Sequence, residues 1–162
     1  GLIGYQGELL TDTRGTAVMN RLFNSYAPHK GNIEGRRNGV LLSNGDGEAT
    51  TYALFYLQPR GALMIDPQTK VYGGMIIGQH TRDNDLEVNV REGKKLSNVR
   101  AAGKDDALLL VPPMKMTLER AMSYIQDDEL VEITPQSIRL RKRYLDPNER
   151  KRRERAKEAG GV

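Results

Sequence analysis

The chain of 162 residues has room for one domain, or for a small domain and a fragment, and its 38% apolar content makes the core adequate but lean. The absence of cysteine excludes a disulfide framework and thiolate metal sites, and no apolar run reaches the roughly 20 residues that a membrane helix needs. The net charge of +4 hides an asymmetry: residues 136–162 hold ten Lys/Arg against four Asp/Glu, which leaves the remainder slightly acidic.

The first residue is Gly rather than Met and no targeting pattern follows it, so the chain is expected to be a piece of a longer protein. Leu2–Leu10 predicts a helix, weakened by Gly4 and Gly7. The spacing of Gly1, Gly4 and Gly7 suggests GXXG nucleic-acid loops. The intervening residues are not basic, however, and close helix packing accounts for small residues equally well. After a turn at Asp12–Gly15, Thr16–Tyr26 alternates, with Ala17, Met19, Arg21 and Phe23 against Val18, Leu22 and Tyr26. That is the pattern of a long strand. One helix and one strand cannot bury both their faces, so this opening unit reads as the end of a domain. Ala27–Gly35, rich in Pro and Gly, is the candidate boundary, with His29 solvated within it.

Val40–Ser43 predicts a strand, Asn44–Gly47 a tight turn, and Glu48–Tyr56 an answering strand that becomes a short helix before Pro59. Leu63–Ile65, Lys70–Tyr72, Met75–Gly78 and Asp85–Val90 read as further short strands. His80, Asp83 and Asp85 are close enough in sequence to suggest a metal, although such residues in a Thr-Arg-Asp-Asn turn usually cap the turn. Arg91–Lys104 follows, fourteen residues with five Lys/Arg, one Glu, and only Leu96 and Val99 as large apolar groups. Structureless loops that long are uncommon in compact domains, and this one could extend roughly 20 Å from the body. On charge alone it fits either a solvated hairpin tip or an arm that carries cations and amides into a polyanion.

Beyond the loop, Ala107–Val111 predicts a strand ended by Pro112 and Pro113. Thr117 caps a helix over Leu118–Ile125 with Leu118, Ala121, Met122 and Ile125 on one face. Asp127, Asp128 and Glu129 read as a solvent-facing acidic turn. Leu130–Thr134 and Ser137–Tyr144 predict a hairpin in which Ile138, Leu140 and Tyr144 point inward while Arg139, Arg141 and Arg143 share the other face. Asp146–Glu149 is a capping box with Pro at the first helical position. The helix it opens, Asn148–Lys157, has almost no apolar face, and it reads as exposed, frayed or ordered against a partner.

No GxxxxGK[ST], GxSxG or HExxH is present, and the two His residues offer poor material for general base catalysis. The positive evidence is three basic patches: Arg36 with Arg37, the Arg91–Lys104 loop, and the Arg139–Lys157 strand and tail. Arg and Lys beside Asn98 suit the phosphate and ribose edges of a folded RNA, and the planar Arg100 could stack on a base.

The runs GLIGYQGELLTDTRGTAVMN, RRNGVLLSNGDGEA, VYGGMIIGQHTRDNDLEVN, GKKLSNVRAAG and MTLERAMSYIQDDELVEITPQSIRLRKRYLDPNERKR closely resemble the C-terminal part of the BipA/TypA family of bacterial translational GTPases. The resemblance implies an α+β, predominantly β chain in three parts. Residues 1–30 would be the last helix and strand of a ferredoxin-like domain V shared with elongation factor G. Residues 31–146 would be the β-rich C-terminal domain with short helices and a long basic loop. Residues 147–162 would be a basic, partly disordered helical tail. It further implies a cytoplasmic, ribosome-associated, non-catalytic module with no cofactor of its own. GTP and Mg would belong to a GTPase domain that these residues lack. The implied partners are the rRNA of the large ribosomal subunit and the tRNA acceptor end, with ribosomal proteins as further candidates. Lys94, Lys95, Asn98, Arg100 and Lys104 on the loop, with Arg36, Arg37, Arg139, Arg141 and Arg143, are the expected RNA contacts. The rival reading is a protein-interaction module that binds a ribosomal protein or a stress factor through the acidic turn and the tail helix.

Overall fold

The computed structural model describes residues 5–28, 36, 38–93 and 108–160. Helix α1 (Tyr5–Asp12) opens the chain. Then come β1 (Val40–Ser43), β2 (Gly47–Glu48), α2 (Thr51–Leu57), a 3₁₀ turn (Gln58–Arg60), β3 (Gly61–Leu63), β4 (Lys70–Val71), β5 (Met75–His80) and β6 (Leu86–Val88). Helix α3 (Leu118–Tyr124), the hairpin β7 (Glu129–Ile133) and β8 (Ile138–Lys142), and helix α4 (Pro147–Gly160) complete it. The fold is α+β with the sheet dominant, and six strands form one mixed sheet in the order β6-β1-β5-β8-β7 with β3 added to β5. Strand β5 is the hub. It pairs with β1, with β8 at Met75 and Ile76, and with β3 from Gly78 to His80, all antiparallel. Only β1 and β6 run parallel.

All four residues of β1 are buried. A strand covered on both faces reads as a continuous apolar run rather than an alternation, and VLL is such a run. Leu41 points into one core with Leu54, Leu57, Leu63, Val71, Met75 and Ile77. Val40 and Leu42 point into a second, with Ile76, Ala121 and Leu140. Helix α2 therefore covers one face of the sheet and α3 the other. Each is capped as its sequence asks: Thr50 Oγ1 accepts from Ala53 N and Thr117 Oγ1 from Arg120 N. Each fully buried Leu or Ile of these cores contributes about 1.5–3 kcal/mol of burial.

Several expectations are corrected. Thr16–Tyr26 is not a strand. The alternation is real, but no strand among the described residues lies beside it, and Val18, Leu22, Phe23 and Tyr26 are 76–96% exposed. The turn at Asn44–Gly47 does not join a hairpin, because β2 pairs with β4 instead of β1. Leu108–Val111 is not a strand either. Its backbone partner is a side chain: Gln58 Nε2 donates to Leu109 O (3.3 Å) and Gln58 Oε1 accepts from Val111 N (2.6 Å). On α3 the buried residue is Ala121, while Met122 is 60% exposed and Leu118 38%. His80 lies in no loop. It ends β5, is buried, and donates Nδ1–H to Asn84 O at 2.6 Å. No cluster of three or more His, Cys, Asp or Glu suited to a metal occurs among the described residues. None of their helices is long and apolar enough to cross a membrane.

Gly39 marks a close approach of two backbones. A Cβ there would sit 2.1 Å from Asn84 O, and the turn it would push away leads directly into Asp85. Gly39→Ala is expected to destabilise the fold by about 1–3 kcal/mol, as overpacking does. Urea denaturation with an unchanged m-value and a lowered midpoint would register it.

Candidate nucleic-acid interface

The residues predicted to contact RNA divide into three groups. Arg37, Lys94, Lys95, Asn98, Arg100 and Lys104 lie outside the described residues. Arg36 and Arg141 are engaged within the protein. Arg139 is half-buried with no ion pair among the described residues, and Arg143 is exposed.

Arg36 is the clearest reassignment. Its side chain is only 6% exposed. Nη2 and Nη1 form a bidentate pair with Glu129 at 2.7 and 3.1 Å, Nε donates to Asn38 O at 2.6 Å, and the guanidinium lies 4.4 Å over the Tyr124 ring. Of the acidic turn, Glu129 thus faces inward, while Asp127 is exposed and Asp128 keeps 43% of its side chain in contact with solvent. Glu129 is 2% exposed and also receives Lys142, the residue that the period-two reading of β8 passed over. Lys142 shares the inward side with Leu140. Its ammonium reaches Asp85 Oδ2 at 2.6 Å, Asp128 Oδ2 at 2.8 Å and Glu129 Oε1 at 3.0 Å. Three donors thus meet three carboxylates, which satisfies the ammonium completely. The other Asp85 oxygen accepts from Val40 N at 2.9 Å, which ties the network to the central strand.

Burial disfavours the Lys142 cation, but hydrogen bonds to Asp128 and Asp85 and the charges of Glu129 and Asp85 outweigh it and raise its pKa. Burial likewise opposes the Arg36 charge, and Glu129 overcomes it. Burial pushes the Tyr124 hydroxyl up to about 12 although Arg36 pulls it down.

Arg141 is held across the hairpin, with Nε 2.8 Å from Glu132 Oε1. The atoms are close, but the angle misses hydrogen-bond geometry, so this is an ion pair by proximity. Glu132 also accepts from Tyr72 OH at 2.6 Å, and burial and that bond both raise the tyrosine pKa.

Both stems of the basic segment are anchored. On the entry side Thr50 Oγ1 donates to Glu92 O at 2.5 Å, while Arg91 donates to Asp46 O and Asn44 Oδ1 at 2.9 and 3.1 Å. The Asn44–Gly47 turn is therefore a cradle for Arg91, and a Cβ on Gly47 would lie 2.5 Å from its Cδ. On the exit side Gln58 holds Leu109 and Val111. Thr50 and Gln58 sit at the two ends of α2.

Residues 38–147 match the model of the TypA/BipA C-terminal domain. The chain belongs to the TypA/BipA family. It is 56% identical over 153 residues to the large ribosomal subunit assembly factor BipA of Haemophilus influenzae, an alignment covering 94% of this chain and 25% of that protein. It is 53% identical over 157 residues to the protein of the same name in Escherichia coli strain K12, covering 96% of this chain and 26% of that one. The chain spans about a quarter of the length of these curated relatives. Asp85, Asp128, Glu129 and Lys142 fall inside the TypA/BipA match and Arg36 just before it. The α3–β7 turn could have been read as inward from one signal: a Lys on the apolar side of β8, one hairpin away from three acids.

Removing the ammonium takes from Asp85 and Asp128 the cation they share and leaves Glu129 with Arg36. Lys142→Met is expected to cost about 3 kcal/mol, the low end for a broken buried pair, because Asp85 and Asp128 are 37% and 43% exposed and partly solvated. Chemical denaturation of the variant measures it. The raised pKa values set a second expectation. A group whose folded pKa exceeds its unfolded value stabilises fully below the unfolded value and loses that contribution as pH climbs through the folded one. Tyr124 titrates from 10 unfolded to about 12 folded, and Lys142 from 10.5 upward. Both predict a melting temperature that falls above about pH 10 and is insensitive to these two groups at neutral pH. A pH series of thermal melts checks this.

Proposed function

We propose that this chain is a ribosome-binding, RNA-contacting module of a translational GTPase that acts in assembly of the large ribosomal subunit. The observation that carries the reading is the family match over residues 38–147, with relatives at 53–56% identity each named a large ribosomal subunit assembly factor. The division of cations supports it. Arg36, Arg91, Arg141 and Lys142 have partners inside the fold, so they are structural. Lys94, Lys95, Asn98, Arg100 and Lys104 belong to the segment whose stems are pinned at both ends of α2. Arg139 on β8 and Arg143 just beyond its end add further charge. We assign the contacts with rRNA phosphates, and with the acceptor end of tRNA, to these two groups and to Arg37. The sequence holds no phosphate-binding loop, so GTP hydrolysis would fall to other parts of the longer protein.

The protein-interaction reading keeps the exposed Asp127 and the outer face of the tail helix but loses part of its motivation. Glu129 is buried under Arg36 and Lys142, Asp128 is engaged with Lys142, and the tail helix is anchored on its own sheet through Arg150.

The test is co-sedimentation of the chain with purified large subunits across a salt series. Replacing Lys94, Lys95 and Arg100 with Gln is expected to flatten the dependence of log K on log salt by about 0.7–0.9 for each lost phosphate contact. An unchanged slope and affinity would remove the segment from the interface. Association that survives nuclease digestion of the rRNA would point to a protein partner instead.

A further inference from the structure

We propose that α4 is a fixed cationic arm whose outward face, Lys151, Arg152 and Arg155, binds the phosphates of a double-stranded RNA segment. The proposal rests on the ribosome-binding reading and adds residues that lie outside both the basic segment and β8.

The helix reads PNERKRRERAKEAG and has no apolar stripe, so burial of hydrophobic surface cannot hold it. It is held nonetheless. Asp146 Oδ1 accepts from Asn148 N at 3.0 Å and caps the first turn. Arg150 Nη1 donates to the carbonyls of Tyr144 (2.8 Å) and Leu145 (2.7 Å), while its Nη2 pairs with Glu87 on β6. One turn later Arg153 lies 3.8 Å over the Tyr144 ring and pairs with Glu149 at 3.1 Å. The helix is thus fastened by two of its own arginines. That corrects the expectation of a frayed tail for its first two turns.

The arrangement of the other cations follows from helical geometry. At about 100° per residue, Arg150 and Arg153 centre on one side of the helix, and Lys151, Arg152 and Arg155 centre about 180° away. Those three are exposed and have no ion pair among the described residues. Lys151 and Arg155 stand one turn apart with Cβ atoms about 6 Å from each other. A row of cations at that pitch on a rigid rod can meet successive phosphates of one strand. An acidic peptide would have to be ordered to do the same, so a preformed duplex is the better complement. Holding the arm still has a purpose only if its free charges are to arrive in register.

The test uses the 162-residue chain and an RNA duplex of about 20 base pairs, followed by fluorescence anisotropy from about 50 to 200 mM salt. The K151Q/R152Q/R155Q variant is expected to bind at least tenfold more weakly at low salt, with the slope of log K against log salt reduced by about 2–3. The E87Q/Y144A variant takes the Glu87 carboxylate from Arg150 and the ring from Arg153, which loosens both anchors, and keeps every cation. It is expected to bind several-fold more weakly with the slope retained, because the charges remain while their positions do not. Unchanged affinity and slope in the triple variant would overturn the proposal. So would an equal loss of binding to polyglutamate, which would show charge attraction without a duplex. If the triple variant fails to respond while the chain still sediments with large subunits through Lys94, Lys95 and Arg100, only this inference falls. Failure of the unaltered chain to sediment with subunits at any salt would remove the underlying reading and this one with it.

Discussion

The turn before β6, the turn after α3 and the start of β7 meet at the Lys142 ammonium. Its three hydrogen-bonding directions go to Asp85 before β6, Asp128 in the turn after α3, and Glu129 at the start of β7, and Glu129 in turn holds Arg36. Two cations and three carboxylates leave one surplus negative charge, and its placement explains why the cluster is tolerable. The fully enclosed Glu129 takes both cations, while Asp85 and Asp128 keep contact with water. Burying an unpaired ion costs several kcal/mol, so a chain in which any one of these segments is misplaced leaves a partner stranded. Apolar side chains of similar volume could fill the space with equal or greater stability. What they would not do is single out one register for the β7–β8 hairpin and one position for the turn before β6.

That division of labour decides which arginines can serve a polyanion. By sequence alone every cation in a basic patch is equivalent. The fold separates them by partner. Arg36 is enclosed with Glu129, Arg91 fills a glycine-lined turn, Arg141 leans on Glu132 and Arg150 bridges to Glu87. A guanidinium already bidentate to a buried carboxylate would have to abandon it to meet a phosphate, which exchanges one strong contact for another and exposes an uncompensated anion. Net charge therefore overstates the charge free to meet a polyanion, and the same reasoning confines the proposed interface to cations with no such tie.

The legible parts of the sequence were those in which one physical signal dominated. VLL between turn residues became an interior strand, Thr117 became a cap, and the hairpin around Pro135 formed. Illegible parts were those in which the partner is distant or of an unexpected kind. Alternation from Thr16 to Tyr26 has the period of a strand, but period says nothing about whether a neighbouring strand is at hand. Gln58 replaces a strand for Leu109 and Val111, and an amide side chain leaves no periodic trace. At the site, Arg139 and Arg141 share one side of β8 as expected, but the strand ends before Arg143, and Lys142 was missed because a lysine on an apolar side is ordinarily discounted. The carboxylates that make it acceptable there are brought in by two separate turns, one before β6 and one between α3 and β7, and no local pattern announces them.

Helix α2 connects this frame to the basic segment. Its N-cap Thr50 holds Glu92, and Gln58 at its other end holds Leu109 and Val111, so the two stems are anchored about 12 Å apart at 1.5 Å of rise per residue. Paired strands of a hairpin would stand under 5 Å apart. The two anchors are also unlike in kind, a cap hydroxyl at one end and a side-chain amide at the other, yet both belong to a helix whose Leu54 is wholly buried in the main core. The positions of the two stems, at Glu92 and at Leu109 and Val111, are therefore set by the packing of α2 on the sheet. A core substitution beneath α2, far from any cation, would displace both stems before it altered a single charge.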